Sequence, residues 1–234
     1  MNIMQTIHSN RSNAIHCRWI ILFAIGLPLA LYAGTPVIWN GPAITFTQAP
    51  GSGAMDQLTP AVGLTRDTLK GLYNAVTESG YTHNFSPADT EWAYGELSNC
   101  TNLTYADWED WNGSNPPGML GNDAVVHLIS DNIYLSINFT SWPTGHQTPP
   151  GGFSYVRSTA LPAFQSITVS NNSVILTWSA TVTQAYQFQY STNLASSTWF
   201  NLGSSITATN LSMTATDANP VTPSTQRYYR ITPQ

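Results

Sequence analysis

The chain has 234 residues, which is enough for two small domains that each bury a hydrophobic core. Only 8% of the residues are charged and the formal net charge is −5, so the chain lacks the basic surface on which nucleic-acid binding depends. The composition therefore excludes nucleic acid as a partner, and Ser, Thr and Asn supply the polarity of the chain.

The first 33 residues have the pattern of a secretory signal peptide. Arg11 and Arg18 precede an apolar run at 19–32, and the small pair Ala33-Gly34 offers a cleavage point. We therefore expect a secreted protein, outside the cell or on its surface, with no membrane span after cleavage. An uncleaved membrane anchor is the alternative, although the apolar run is short for a span.

Short strands are predicted after the signal peptide. The segments VIW at 37–39, AITFT at 43–47 and AVGLT at 61–65 are apolar or β-branched and are bounded by turn residues. Strand and helix are equally supported between 67 and 80, because apolar residues there fall at helical spacing.

A short helix is predicted to start at Ser86-Pro87-Ala88-Asp89. This segment offers a capping residue, a Pro at the first helical position and an acid at the third. The helix should end at Ala93 or Tyr94. In this interpretation Asp89 and Glu91 are acids at a helix N-terminus, where they have a structural role.

The stretch from Asp123 to Trp142 has the most regular pattern and predicts a β-hairpin at the centre of the first domain. A two-residue turn at Asp131-Asn132 would set its register. The expected pairs are Leu128 with Leu135, Val126 with Ile137, and Ala124 with Phe139. The core side chains are then Leu135, Ile137 and Phe139, and those facing away are Ser136, Asn138 and Thr140.

Composition changes at Thr159 to Pro162, where a Ser- and Thr-rich pattern with few acids begins, so we place a domain boundary there. The first predicted domain is 34–159 and the second is 163–234. Turn signals such as Asn171-Asn172 and Asn219-Pro220 separate short strands in the second domain. The predicted strands are FQSITV, SVILTW, YQFQYST, TWFNL, ITATNLSMTAT and RYYRI. The chain is thus predicted to be all-β, with two sandwich-like domains and one or two short helices in the first.

The second domain resembles a fibronectin type III or immunoglobulin-like module. The resemblance rests on aromatic residues in its predicted strands, namely Trp178, Tyr186, Phe188, Tyr190 and Tyr228. A full module has another strand after YYRI, so the resemblance implies a truncated or rearranged variant. The strings LTWSAT, QYSTNL and RYYRI are also similar to C-terminal modules of secreted bacterial proteins, which are passengers or attachment pieces. The domain's own set of aromatic residues is large enough for a separate core and the boundary near Pro162 has the character of a linker, so we expect this domain to fold by itself and to serve as an attachment or sorting piece.

The first domain resembles a family of secreted bacterial proteins of unknown function. The shared strings are SPADTEWAYG at 86–95, LISDNIYLSINFTSW at 128–142 and GGFSYVRST at 151–159. Because the family has no established activity, the resemblance implies a β-rich secreted domain but no mechanism.

Four Trp residues are the candidate ligand-binding residues. They lie in or beside predicted loops, and they are Trp92, Trp108, Trp111 and Trp142. A Trp ring in a loop can stack on a sugar or fill a pocket of a partner, although Trp in a small β-domain more often belongs to the core. The expected partner is an extracellular glycan or a surface protein.

Acidic residues support two further hypotheses. A loop region rich in Asn and Gly carries carboxylates that suit Ca²⁺, or else it is simply a solvated acidic loop. The candidate calcium ligands are Asp107, Glu109, Asp110 and Asp123. Glycoside hydrolysis needs two carboxylates, and the candidates for it are Asp89, Glu91 and Glu96.

No sequence motif identifies a catalytic residue. The chain has no Gly-x-Ser-x-Gly elbow and no phosphate-binding loop, and His83, His127 and His146 lack the spacing of a zinc site. Cys100 has no internal partner once Cys17 leaves with the signal peptide, so it forms an intermolecular bridge, acts as a reactive thiol or is simply buried.

These observations predict a non-enzymatic protein for cell-surface attachment or extracellular recognition, with no required cofactor. A carbohydrate-binding module that uses the four Trp residues is one alternative. A secreted glycoside hydrolase that uses the acids at 89–96 is the other.

Overall fold

The computed structural model describes residues 35–144, 150–170, 173–193, 195, 197–218 and 226–234. The predicted signal peptide, His146 and the predicted turns at Asn171-Asn172 and Asn219-Pro220 lie outside the described residues. Within the described ranges, no helix has the length and apolar character that crossing a membrane requires.

Strands dominate the described chain, so the prediction of an all-β fold is confirmed. In chain order the strands are β1 (Val37–Trp39), β2 (Gly41–Gln48), β3 (Asp56–Gln57), β4 (Gly63–Arg66), β5 (Leu72–Asn74), β6 (Thr90–Tyr94), β7 (Ala124–Leu128), β8 (Ile133–Ser141), β9 (Phe153–Thr159), β10 (Phe164–Ser170), β11 (Ser173–Ser179), β12 (Ala185–Ser191), β13 (Phe200–Asn201), β14 (Ile206–Thr207), β15 (Ser212–Asp217) and β16 (Tyr228–Pro233). The helical segments are α1 (Trp108–Trp111) and the 3-10 helices Leu97–Asn102 and Pro116–Met119.

The largest sheet is built around the predicted hairpin, β7 and β8. Its antiparallel strands have the order β2-β9-β8-β7-β6, and β1 pairs in parallel with the start of β8. A smaller sheet has the order β3-β4-β5. Buried apolar residues from both sheets and from α1 form one hydrophobic cluster, whose members include Leu64, Leu72, Trp92, Trp108 and Phe139.

The hairpin has the predicted faces but a different register. Leu135, Ile137 and Phe139 are buried, whereas the intervening side chains are partly or fully exposed. However, Val126 pairs with Leu135 and not with Ile137, which shifts the register by two residues. The length of the connection causes this register shift, because residues 129–132 form a four-residue loop in place of the expected two-residue turn.

The helix predicted from Ser86 is absent, and this prediction was wrong. Residues 90–94 form strand β6, which pairs along its length with β7 and places Trp92 in the core. The gain from burying this side chain and from joining the sheet outweighs the local capping signal. Between 67 and 80 the structure also contains a strand, β5, and turns in place of a helix.

The C-terminal strands form two sheets around a second hydrophobic cluster. Strand β11 pairs with β10 and β15, whereas β12 pairs with β13, β14 and β16. Every predicted strand segment of this region contains a strand, and ITATNLSMTAT contains two, β14 and β15. Residues Gly34–Gln234 form one compact unit. The boundary at 159–162 and the resemblance to a fibronectin type III module stay predictions.

We expect residues 160–234, expressed alone, to unfold in one cooperative transition. Their cluster of Trp178, Tyr186 and Phe188 draws its buried members and its partly buried neighbours from residues 164–231 only, and small single domains usually unfold in one step. Thermal unfolding followed by Trp fluorescence tests this expectation. A gradual transition in a fragment that binds a hydrophobic dye would contradict it.

Candidate functional site

A cleft of about 300 Å³ lies beside α1, between the β4–β5 connection and the chain that leaves β8. Aromatic, charged and amide side chains line it together, and the main ones are Tyr81, Trp108, Trp142, Arg66, Lys70, Glu109 and Asn112. We call this site the tryptophan cleft. It contains two of the four predicted ligand-binding Trp residues and one of the predicted calcium ligands.

Helix α1 places Trp108 and Glu109 on the cleft. Asp107 caps the helix, because its carboxylate accepts hydrogen bonds from the backbone N–H groups of Glu109 and Asp110 at 3.0 Å. Gly71 permits the close packing of this wall. A Cβ atom at position 71 would lie 2.5 Å from the Tyr81 ring and 2.6 Å from the Trp108 ring, so any larger residue would displace one of them.

Trp108 and Trp142 form the buried aromatic part of the cleft. Their ring centroids are 5.4 Å apart, and only 2% of Trp108 and 6% of Trp142 is exposed. Tyr81 meets Trp108 edge to face and is half-buried, so it presents the accessible aromatic surface. Two buried atoms of lining residues, Trp108 Nε1 and Asn112 Oδ1, form no hydrogen bond with any described residue.

Glu109 collects hydrogen bonds from the segment 81–84. Its Oε2 atom accepts from the Tyr81 hydroxyl and from the Asn84 N–H, and it also contacts Nδ1 of His83. Burial by itself raises the pKa of Glu109, but the hydrogen bonds from Tyr81, Asn84 and His83 outweigh this effect and lower the pKa. Burial and the bond to Glu109 raise the pKa of Tyr81, which therefore remains a donor.

The interactions of Glu109 are expected to weaken in acid. The pKa of Glu109 is lower in the folded protein than in the unfolded chain, where the pKa of a Glu is about 4.3. The ionised carboxylate therefore stabilises the fold fully above about pH 4.3, and this stabilisation is lost as the pH falls through the folded-state pKa. Glu109→Gln should therefore reduce the loss of stability between pH 7 and pH 3. Urea unfolding at both pH values measures this, with Asp110→Asn as the control on the same helix. An unchanged pH dependence in Glu109→Gln would contradict the prediction.

Arg66 closes one end of the cleft. Its Nε donates to the carbonyl of Lys70 at 2.9 Å, and its Nη1 donates to the carbonyls of Pro143 at 2.9 Å and Gly152 at 2.6 Å. The guanidinium carbon lies 3.7 Å from the centroid of the Trp142 ring, within the range of a cation–π contact. Burial lowers the pKa of Arg66 to about 10.

The structure places the other two predicted Trp residues away from the cleft. Trp92 lies on strand β6 and not in a loop, and it is fully buried, with Nε1 donating to Thr90 Oγ1 at 3.0 Å. Trp111 is half-buried and packs on Trp92 and Tyr94 at centroid distances of 5.3 and 4.6 Å. A small β-domain needs large side chains to fill its core, so these rings serve packing, and Trp92 has no face open to a ligand.

The four predicted calcium ligands do not converge. Asp107 caps α1, Glu109 binds the segment 81–84, Asp110 is exposed, and Asp123 accepts a hydrogen bond from Asn138 at 3.1 Å. Among the described residues, no group of three His, Cys, Asp or Glu side chains is arranged to hold a metal ion.

The three acids proposed for hydrolysis also have separate partners. Asp89 accepts from the backbone and hydroxyl of Ser130 at 2.9 and 2.8 Å, so it fixes the hairpin loop and is not a helix-terminal acid. Glu91 pairs with His127 at 2.7 Å. Glu96 accepts from the Ser98 hydroxyl and lines a second cleft of about 300 Å³ together with Asp123.

Sequence reasoning missed Arg66, Lys70, Tyr81 and Asn112 as residues of a site. Arg66 reaches acceptors that lie 77 and 86 residues further along the chain, so no local pattern reveals its position. Asn112 follows two of the candidate Trp residues in the string WEDWN, and its position there is the local signal that could have identified it.

Comparison with known proteins adds no relative. No protein-family model, no curated protein and no solved structure matches the chain. The functional assignment therefore rests on the residues of the tryptophan cleft.

Proposed function

We propose that this chain is a secreted, non-enzymatic protein of extracellular recognition or cell-surface attachment that binds a glycan in the tryptophan cleft. The observation that supports this proposal is the combination, in one cleft of about 300 Å³, of aromatic rings with charged and amide side chains. A sugar presents an apolar C–H face and a rim of hydroxyls, so it needs both kinds of surface at once.

The polar groups of the cleft match the hydroxyls of a sugar. Glu109 supplies a carboxylate acceptor beside the Oε2 atom that the segment 81–84 binds, and Lys70 supplies ammonium donors. The amide of Asn112 donates to the carbonyl of Trp108 and so holds the wall of the cleft in place. Tyr81 offers a half-buried ring against which a sugar face can pack, and the buried Trp108 and Trp142 fix the shape of the wall behind it. A rigid aromatic wall lowers the entropic cost of binding because it is already ordered in the free protein.

A glycan array followed by calorimetric titration tests the proposal. The full chain is expected to bind at least one class of glycan, and Tyr81→Leu should weaken that binding about tenfold or more, since stacking on an aromatic ring is lost. Phe85→Leu is the matched control, because Phe85 is 61% exposed and does not line the cleft. Absence of glycan binding, or equal binding by Tyr81→Leu and the wild type, would refute the proposal.

A glycoside hydrolase is the second candidate, and one observation favours it. Glu96 and Asp123 line the same second cleft, and hydrolysis of a glycosidic bond requires two carboxylates on opposite sides of that bond. Release of reducing sugar from a polysaccharide panel by the wild type, abolished in Glu96→Gln, would establish this activity. Absence of such release would refute the hydrolase.

A further inference from the structure

Arg66 carries a buried charge without an acidic partner. It is 6% exposed, and each of its hydrogen bonds goes to a neutral backbone carbonyl. None of the ion pairs among the described residues involves Arg66. Buried charges in proteins are usually paired, because removal from water is costly without a compensating charge.

Among the described residues, Arg157 is buried as well, and its surroundings differ from those of Arg66. Arg157 is 2% exposed, and its Nε and Nη2 atoms bind both oxygens of Asp56 at 2.6 and 2.8 Å. The guanidinium of Arg157 is therefore neutralised by a bidentate carboxylate. Arg66 is also buried, although less deeply than Arg157, and it lacks this partner.

One nitrogen of Arg66 remains available to a ligand. Nε and Nη1 are used for carbonyls, whereas Nη2 makes no hydrogen bond to any described residue. The planar guanidinium matches carboxylate and sulfate groups, which accept hydrogen bonds from it. Lys70 is exposed and lines the same cleft, so it adds a second positive charge.

Glu109 lines the same cleft and Asp67 follows Arg66 in the chain, but neither acid forms an ion pair with Arg66 or Lys70 among the described residues. Glu109 binds Tyr81, His83 and Asn84, and Asp67 accepts a hydrogen bond from the backbone of Tyr81 at 3.4 Å. The chain as a whole has a net charge of −5, which opposes unspecific adsorption of polyanions. Binding of an acidic ligand therefore requires a defined cationic site.

We infer that the tryptophan cleft binds an acidic sugar, whose carboxylate or sulfate group interacts with Arg66 and Lys70 while its ring packs against Tyr81. This inference rests on the proposed glycan binding and specifies its substrate class. It explains why a buried guanidinium without a carboxylate partner lines a cleft that has an accessible aromatic ring.

Titration with three sets of oligosaccharides of equal length tests the inference, using the full chain. Oligogalacturonates carry carboxylates, carrageenan oligosaccharides carry sulfates, and cello-oligosaccharides are neutral. We expect one acidic set to bind at least tenfold more tightly than the neutral set, with an affinity that decreases as salt is added. The acidic set that binds identifies the anionic group.

Lys70→Gln is the decisive variant, because the side chain is exposed and only the backbone carbonyl of Lys70 is used by Arg66. It should weaken acidic binding about tenfold and neutral binding by a smaller factor, because a neutral sugar loses a hydrogen-bond donor but no charge–charge interaction. Arg230→Gln is the matched control at an exposed cation outside the cleft.

The outcomes separate this inference from the proposed function. Equal affinity for the neutral and acidic sets, or no effect of Lys70→Gln, would overturn the inference that the ligand is acidic. In that case, loss of neutral binding in Tyr81→Leu would still support the proposed glycan site. Failure of every oligosaccharide to bind would overturn both.

Discussion

Replacing Asp56 by Asn is expected to lower the free energy of unfolding by about 3 to 5 kcal/mol, because it leaves a buried guanidinium without its counter-charge. Asp56 is 7% exposed and binds Arg157 through both carboxylate oxygens. It also accepts a hydrogen bond from the hydroxyl of Tyr155 at 2.7 Å. A loss of this size is a large share of the stability of an ordinary domain.

Urea unfolding followed by Trp fluorescence measures the effect. Asp131→Asn makes the same chemical change at an exposed loop position and should alter stability by no more than about 0.5 kcal/mol. The double variant Asp56→Leu with Arg157→Met removes both charges, so it should be more stable than Asp56→Asn alone. A loss below about 1 kcal/mol in Asp56→Asn would show that the pair does not control stability.

The alternating pattern of the hairpin predicts which side chains are buried but not which residues pair. A register shift of two residues keeps every side chain on its face, so Leu135, Ile137 and Phe139 remain in the core under either pairing. Only the turn distinguishes the two registers. The chain uses a four-residue loop in which the N–H of Asn132 donates to the carbonyl of Ile129 at 3.2 Å.

The helix predicted at 86–94 shows how tertiary structure overrides a local signal. Ser86, Pro87 and Asp89 fit the start of a helix, but Asp89 adopts a φ of 63°, which is left-handed, and its carboxylate binds Ser130. The next residues then pair with β7. Neither the partner strand nor the loop that Asp89 contacts is close in sequence, so local capping rules cannot reveal them.

The tryptophan cleft is harder to predict than the fold, because its residues come together only through distant contacts. The position of Trp108 and Trp142 in or beside predicted loops suggested a binding role for them, and the cleft contains both. Burial of Trp92 follows from its position on β6, which the sequence pattern did not reveal. Arg66 and Lys70 have no local motif, since the cleft depends on the packing of β4, α1 and the chain after β8.

Phe139→Ala is expected to cost about 3 to 5 kcal/mol, because it leaves a cavity at the centre of the first hydrophobic cluster. Phe139 is 1% exposed, and its ring lies 5.4 Å from that of Tyr155 and 6.1 Å from those of Trp92 and Trp142. The surrounding rings are large and held by several strands, so they cannot collapse fully into the space.

Thr140→Ala is the matched control for this prediction, since Thr140 is the next residue of β8 and is exposed. It should change stability by no more than about 0.5 kcal/mol. Urea unfolding of both variants gives the comparison, and circular dichroism checks that the strands persist. Equal losses in the two variants would mean that the two faces of β8 are not divided between core and solvent, which would refute the orientation of this strand in the largest sheet.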